Sequence, residues 1–402
     1  MTAAGPLPTE RLHYDDSLLS TFEAEVVAHG EFGGRPSLVL DRSAFYPESG
    51  GQLADRGKIA GIAVVDVQVD DAGVVHHLLD AEAPPLHARV AGEIDVERRR
   101  LHMALHTGQH ILSRALLDVA GAETLSSRLG ESVCTIDVGV AALEERDLAR
   151  AEDLANSVVD ADVAIRAFFP DPDTLGRLPL RRQPKVTDHV RVVQIGDFDF
   201  SPCGGTHCLH SAQVGLVHVS AVERYKGGTR VSFGAGRRAR SELVARSALL
   251  GTIAQSLSCG PEFVSNAIDK LRRELSAARD ALGVARASIA QRAADELLAA
   301  ARAENRAQVV AQFEDATLEL LRAVAQRITA DKAAVALLAG SGGDAPVVVV
   351  RGEDSSFDCG AFLKRAMSAC GGRGGGRPER AEGKLPSGVD WSALVRTQLE
   401  SK

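Results

Sequence analysis

The sequence predicts a multidomain α+β protein: a small N-terminal β-barrel, a central mixed domain, a helical segment and a small C-terminal α/β unit. Three observations lead there. Between residue 22 and about 95, apolar residues alternate at period two between Gly and Asp turns. From Asp95 helical and strand-like runs mix, and from about 237 Ala, Arg, Glu and Leu dominate with almost no Pro. Period two marks half-buried strands and period 3.6 marks amphipathic helices, so each change of period is a candidate domain boundary.

The elements follow in order. Residues 20–94 hold strands such as Ala63-Val64-Val65-Asp66-Val67-Gln68-Val69, and a small barrel is expected. Residues 95–240 open on a helix from Arg98 to Val119, with Leu101, Leu105, Ile111, Leu112, Leu116 and Leu117 as its apolar residues. Strand-like segments follow at Cys134–Val138, Val163–Phe169, Val190–Ile195, Gly215–Glu223 and Arg230–Gly234, with a second helix near Leu143–Val159, which together read as an α+β domain. Residues 241–330 read as a helical hairpin or short coiled coil, because Leu275, Leu282 and Ile289 recur every seven residues. In residues 331–402, Ala334–Leu338 and Val347–Val350 read as strands joined by the Ser341-Gly342-Gly343-Asp344 turn. Cys359–Cys370 reads as a helix, and the glycine run Gly371–Gly376 as a loop.

Composition sets the frame. The chain has 402 residues, 45% hydrophobic and 25% charged, which suits two to four soluble domains. Aromatic residues are only 4%, so aliphatic side chains must fill most of the core. The first twenty residues contain Pro6, Pro8, Asp15 and Asp16 with no apolar run, so no signal peptide is expected. No segment reads as a membrane span either. Six scattered cysteines without an export signal read as buried thiols or metal ligands, and the cytoplasm is the expected compartment. A net charge of −8 argues against a uniformly basic nucleic-acid binder. Arg224–Arg240 and Lys364–Arg380 are nevertheless basic patches; each is a candidate polyanion contact or a solvated face.

His106-Thr107-Gly108-Gln109-His110 places two imidazoles at i and i+4, one turn apart on one helix face. Further along, Pro202-Cys203-Gly204-Gly205-Thr206-His207 offers a thiolate and an imidazole on a tight turn. Three imidazoles and one thiolate favour zinc over calcium or magnesium, which take oxygen ligands. Either half alone is a weak signal, since paired histidines are common on helix surfaces, and His102 continues the same face and competes for either position. A metalloprotease is excluded because the HExxH motif needs a glutamate where Thr107 stands. Spacing alone thus gives a zinc site and no reaction.

Together, His106-Thr107-x-x-His110 and Cys203-Gly204-Gly205-Thr206-His207 resemble the zinc signature of AlaX-type alanyl-tRNA editing proteins and of the editing domain of alanyl-tRNA synthetases; threonyl-tRNA synthetase editing domains have a related one. Phe45-Tyr46-Pro47-Glu48-Ser49-Gly50-Gly51-Gln52 is similar to the family's aromatic–Gly-Gly-Gln segment in the barrel, and Ile195-Gly196-Asp197-Phe198-Asp199 to its approach strand. Gly371-Gly372-Arg373-Gly374-Gly375-Gly376-Arg377-Pro378 resembles the glycine loop of the DHH-associated domain that closes alanyl-tRNA synthetases. The chain looks like the editing and C-terminal parts of such a synthetase without room for an aminoacylation domain. It departs from the pattern at Leu53, often Pro, at Cys208, usually Val, and at Glu379–Lys384, which has Gly383 but not the further glycines the family would lead one to expect.

The resemblance implies a zinc-dependent deacylase that hydrolyses mischarged tRNA(Ala), chiefly Ser-tRNA(Ala). One zinc would be held by His106, His110, Cys203 and His207. Four protein ligands normally close a site whereas water activation needs an open position, so His207 is expected to be the most exchangeable. Thr107 and Gln109 stand as candidates to order water or substrate, with helix-surface residues the alternative reading. Gly204 and Gly205 are candidates to donate backbone N–H groups to the ester. Gly50, Gly51 and Gln52 are candidate substrate contacts, or simply a barrel turn. Arg373, Gly374, Gly375 and Arg377, with Arg380, are expected at the tRNA backbone. Sparing alanine while accepting serine requires a group that hydrogen-bonds the hydroxyl. A homodimer through the helical or C-terminal segment is a possible assembly. A catalytically silent, zinc-stabilised tRNA-binding factor and an editor in the threonine system remain the alternatives.

Overall fold

The computed structural model describes residues 7–184 and 189–400, which form two compact units dividing between Thr252 and Ile253. In the first unit the chain runs through β1 (Glu10–Arg11), β2 (Thr21–Phe32), β3 (Arg35–Leu40), β4 (Arg42–Ser43), β5 (Gly57–Ile59), β6 (Ile62–Val69), β7 (Val75–Leu79) and β8 (Arg89–Ile94). Six of these close into a barrel in the order β2-β3-β7-β6-β5-β8, the seam being made by β2 against β8 with Thr21 opposite Glu93. Alternate residues point inward, so Phe22, Val26, Leu38, Leu40, Phe45, Ile59, Val67 and Val75 fill the interior. Closure leaves no unpaired sheet edge. The short β1 pairs in parallel with β4 outside the barrel.

Helix α1 (Val96–Ala120) begins where Asp95 accepts a hydrogen bond from the Arg98 backbone N–H and ends at Gly121, which takes the left-handed conformation at φ 61°. It is followed by β9 (Thr124–Leu129), β10 (Cys134–Val138), α2 (Glu145–Asp160), β11 (Ile165–Phe168), α3 (Pro172–Arg177), β12 (Val192–Ile195), β13 (Asp199–Pro202), β14 (Val217–Tyr225), β15 (Gly228–Ala235) and α4 (Gly236–Ser256). A four-stranded antiparallel sheet in the order β14-β15-β10-β9 carries α1 and α2 on one face, and β11-β12-β13 form a separate three-stranded sheet. The helix α1 is wedged in the interior: every residue from His102 to Ser113 is buried. Arg99 ties it to the barrel by a buried pair with Asp55 at 2.6 Å, and its guanidinium also donates to the carbonyls of Ser17 and Ala44. A buried charge of this kind is tolerated only because its donors are spent on fixed acceptors.

The second unit contains α5 (Val264–Ala303), β16 (Gln308–Phe313), α6 (Leu318–Ile328), β17 (Val335–Gly340), β18 (Ala345–Arg351), α7 (Cys359–Cys370), β19 (Arg373–Arg377), β20 (Arg380–Leu385) and α8 (Trp391–Glu400). The sheet order is β16-β17-β18-β20-β19. Its two faces are filled by different helices. Val335, Leu337, Val347 and Val349 pack with residues of α7 and α8, while Ala336, Leu338 and Val348 pack with α5 and α6.

Two sequence expectations change here. The stretch to 330 is not wholly helical: β16 lies inside it and pairs in parallel with β17, with α6 as the crossover, so the C-terminal unit starts well before residue 331. Val309 and Val310 were hidden as a strand by the Ala- and Arg-rich helix just before them. The glycine run is also not a loop, since Arg373–Arg377 is edge strand β19. A Cβ on Gly376 would lie 2.4 Å from Ala381 Cα, and one on Gly360 of α7 would lie 2.6 Å from the Gly376 carbonyl oxygen. The glycines therefore let helix and hairpin pack at backbone contact. The heptad residues Leu275, Leu282 and Ile289 of α5 are 52%, 58% and 56% exposed.

Candidate metal centre

Helix α1 supplies His106 and His110 from successive turns, and the chain leaving β13 supplies Cys203 and His207. The four ligand atoms lie within 4.8 Å of one another. Cys203 Sγ is 3.4 Å from His106 Nε2 and 3.3 Å from His207 Nε2. Tetrahedral zinc with usual bond lengths separates sulfur and nitrogen ligands by about 3.5 Å, so the donors present fit that ion in type and spacing.

Each imidazole is aimed from behind. His106 Nδ1 donates to Gln52 Oε1 at 2.6 Å, and the same glutamine donates from Nε2 to Thr206 Oγ1 at 2.8 Å. His207 Nδ1 lies 3.2 Å from Thr107 Oγ1. His110 Nδ1 lies 3.4 Å from Asp199 Oδ2, an ion-pair approach outside good hydrogen-bond geometry. Asp199 is itself gripped by Arg181 at 2.8 Å and Ser201 Oγ at 2.9 Å. With Nδ1 engaged, His106 and His207 present Nε2 inward, the tautomer a metal ligand needs, while His110 has only the Asp199 carboxylate facing its Nδ1.

Electrostatics favour a thiolate at Cys203 and a neutral His207. Burial opposes ionisation of Cys203, yet His106, His207 and His110 around it hold its pKa well below the ordinary thiol value. Burial, with His106 adding, drops His207 to about 3. His110 is raised: burial works against its charge but Cys203 and Asp199 outweigh it.

The turn between Cys203 and His207 works because Gly205 has no side chain. A Cβ there would sit 2.2 Å from His106 Cε1 and 2.9 Å from Gln52 Oε1. Gly205 N–H points at Cys203 Sγ at 3.4 Å, so it serves the thiolate and is not free for an ester. Gly204 is exposed, while the carbonyls of Cys203 and Gly205 accept from Arg191 Nη1 at 3.0 and 2.9 Å.

The structure thus brings the four expected ligands together and adds Gln52 as an orienting group. Thr107 is fully buried and also accepts from the Cys208 backbone N–H, so it positions His207 and does not face solvent. Gln109 does not join the cluster, because its amide donates to Ser113 Oγ one turn along α1. Gly50 and Gly51, with φ of 58° and 87°, form the barrel turn before Gln52, and a Cβ on Gly51 would strike the Ser127 carbonyl at 2.4 Å. His102 is buried but outside the cluster. The Cys208 thiol is pushed up to about 11 by burial and is not a ligand. All three imidazoles are under 5% exposed, and nothing singles out His207 for exchange. Asp199 and Arg191 escaped the sequence reading: Asp199 stood only as the end of a strand, and Arg191 lies outside both motifs. In the second unit, Arg373 and Arg377 are exposed and have no carboxylate partner among the described residues, whereas Arg380 pairs with Glu382 at 2.5 Å.

Comparison with known proteins follows the same division. Residues 190–232 match the second additional domain of threonyl and alanyl tRNA synthetases, and residues 305–397 match the DHHA1 domain. The chain is similar to the alanine–tRNA ligase of Archaeoglobus fulgidus, 32% identical over 96% of this chain and 43% of that one. It is similar also to those of Ignicoccus hospitalis (30%, 94% and 41%) and Thermobifida fusca (32%, 96% and 46%). It therefore spans less than half the length of these relatives. Among solved structures it is similar to the C-Ala domain of Aquifex aeolicus alanyl-tRNA synthetase. That likeness is 23% identical over 23% of this chain and 87% of that one, at a TM-score of 0.22 too low to bear on the fold. No helix among the described residues is long and apolar enough to cross a membrane.

Proposed function

We propose, from the premise that this chain is an AlaX-like relative of the alanine–tRNA ligases, that it is a zinc-dependent deacylase acting in trans on mischarged tRNA(Ala), chiefly Ser-tRNA(Ala). The observation that carries the proposal is the cluster of His106, His110, Cys203 and His207, each imidazole backed by its own partner. Zinc bound there would polarise the ester carbonyl or lower the pKa of a water to about 7. The protein's own part is orientation. Gln52 fixes His106 from the barrel, Thr107 fixes His207, and the exposed Gly204 beside the thiolate is the candidate to give its backbone N–H to the ester, with Tyr14 bordering it. Discrimination of serine from alanine then needs a donor or acceptor that the hydroxyl alone satisfies.

Binding of the tRNA body falls to the second unit, where Lys364, Arg365, Arg373 and Arg377 lie without carboxylate partners among the described residues. The exposed face of α5 is the proposed homodimer seam: Leu271, Leu275, Leu282 and Ile289 are each more than half exposed at heptad spacing.

A second reading is favoured by the tightness of the cluster: four donors within 4.8 Å and three buried imidazoles also describe a closed, structural zinc site in a silent tRNA-binding factor. Ser-tRNA(Ala) and Ala-tRNA(Ala), each incubated with zinc-loaded protein and with protein stripped by chelator, separate the two. Hydrolysis of the seryl ester alone, lost on stripping and restored by zinc, is expected. Binding without turnover of either substrate selects the silent factor, and equal rates on both refute the selectivity.

A further inference from the structure

Beside the Cys203–His207 loop lies a group of side chains, Arg11, His13, Tyr14 and Phe169, that the deacylase chemistry leaves unused. Tyr14 Oη lies 3.4 Å from where a Cβ on Gly204 would stand, so this ring borders the exposed turn of the loop. Arg11 Nη1 donates to Tyr14 Oη at 2.8 Å, and the Arg191 guanidinium lies 5.0 Å from the Tyr14 ring centre. Phe169 meets Tyr14 edge-on at 5.8 Å and is 48% exposed, an aromatic ring with a free side in a chain that has few. Behind them His13 is 1% exposed, and neither of its ring nitrogens has a hydrogen-bond partner. Buried polar atoms are rarely left so.

Charge points the same way. Neither Arg11 nor Arg191 has a carboxylate within ion-pair distance among the described residues, and Arg191 Nε also has no partner. Burial pushes the His13 pKa well below its ordinary value, with Arg99, Arg191 and Arg11 adding to the effect, so the ring is neutral with one donor and one acceptor unspent. The Arg11 guanidinium, free of any carboxylate among the described residues, beside the half-buried Tyr14 ring and the exposed Phe169 ring suits a ligand that is both anionic and flat, with the buried Arg191 adding positive charge behind them. Guanidinium forks bind phosphate, and aromatic rings stack on bases.

We infer that Arg11, His13, Tyr14 and Phe169 form a nucleotide subsite that holds the 3′-terminal base and phosphate of an RNA beside Gly204. The inference rests on the reading that the chain acts at a tRNA 3′ end, and it names the residues that would bring that end to the metal loop. A free mononucleotide has the same chemistry and is the other source of such a ligand.

The full-length, zinc-loaded protein is compared with its Arg11→Ala and Phe169→Ala variants in binding three probes: uncharged tRNA(Ala), the same RNA lacking its terminal adenosine, and AMP. Wild type should prefer the complete RNA by roughly tenfold, the usual effect of one stacked base. Each variant should lose most of that preference by weakening on the complete RNA alone, with zinc content and melting temperature unchanged. Variants that keep the wild-type preference overturn the subsite, as does a wild type that binds both RNAs equally. AMP bound as tightly as the complete RNA assigns the site to free nucleotides and overturns the RNA-end assignment. A wild type that shows the preference but hydrolyses no seryl ester supports the subsite and refutes the hydrolase. Hydrolysis by wild type together with an unchanged preference in the variants refutes the subsite alone.

Discussion

Two neighbouring glycines give opposite expectations from the same substitution. In Gly205→Ala the added Cβ lands 2.2 Å from His106 Cε1 and 2.3 Å from its Nδ1, where ordinary contact begins at 3.4 Å. The imidazole must retreat by about 1.2 Å, and its Nδ1 is held at 2.6 Å by Gln52, whose own oxygen would be 2.9 Å from the new methyl. Metal ligands tolerate only about 0.2 Å of displacement. Overpacking of a dense interior costs about 1–3 kcal/mol, and disturbing an orienting hydrogen bond weakens metal binding about 10–100-fold. In Gly204→Ala the nearest atom is Tyr14 Oη at 3.4 Å, ordinary contact. Zinc affinity measured by competition with a chromogenic chelator should therefore fall for Gly205→Ala and stay within about twofold for Gly204→Ala. Equal affinities for the two variants, or wild-type affinity in Gly205→Ala, would refute the close-packed loop as the determinant of ligand position.

Three further outcomes are expected. Cys203→Ala should lose zinc and hydrolysis while His102→Ala keeps its zinc, and Asp199→Asn should weaken zinc about tenfold by removing the charge behind His110; elemental analysis showing full zinc in Cys203→Ala removes the assignment. Arg373→Glu and Arg377→Glu should each weaken tRNA binding and lower the slope of log affinity against log salt by about one, with zinc unchanged; an unaltered slope rules these residues out as phosphate contacts. His77, buried between Ser43 Oγ and the Leu38 carbonyl, is lowered to about 4 by burial. Its folded pKa lies below the unfolded value of about 6.5, so its contribution is complete above that pH and is lost as pH falls toward 4, by roughly 3 kcal/mol. His77→Gln should flatten the urea midpoint between those pH values, and an unchanged profile shows that another group sets the acid limit.

What could be read in the sequence was whatever is local. Cys359–Cys370 was legible as a helix because its apolar residues recur at helical spacing and Gly371 stops it in the left-handed conformation. The four residues of the His/Cys cluster were legible because each pair sits within five residues. Gln109 misled for the same reason: adjacency to His110 suggested a role, but α1 is buried on every side, so its amide found Ser113 on the next turn. Strand β16 was missed because pairing with β17, twenty-odd residues on, decides it and local propensity does not. Asp199 was invisible as a partner of the His/Cys cluster because His110 is brought to it only by packing of α1 against β13.

Gln52 gives the metal site a history as well as a geometry. It comes from the barrel, 54 residues before His106, and it also anchors Thr206, 154 residues further on than itself, while Cys203 lies 97 residues beyond His106. During synthesis the barrel and α1 are complete long before the thiolate emerges, so an early chain can offer a metal only two histidines. Contacts this distant in sequence form late and slowly. The cluster therefore needs the barrel segment that carries Gln52, helix α1 and the loop after β13 in place together, with Arg99 and Asp55 tying the first two. Bringing the four donors within 4.8 Å of one another thus reports on elements spread over more than 150 residues of chain.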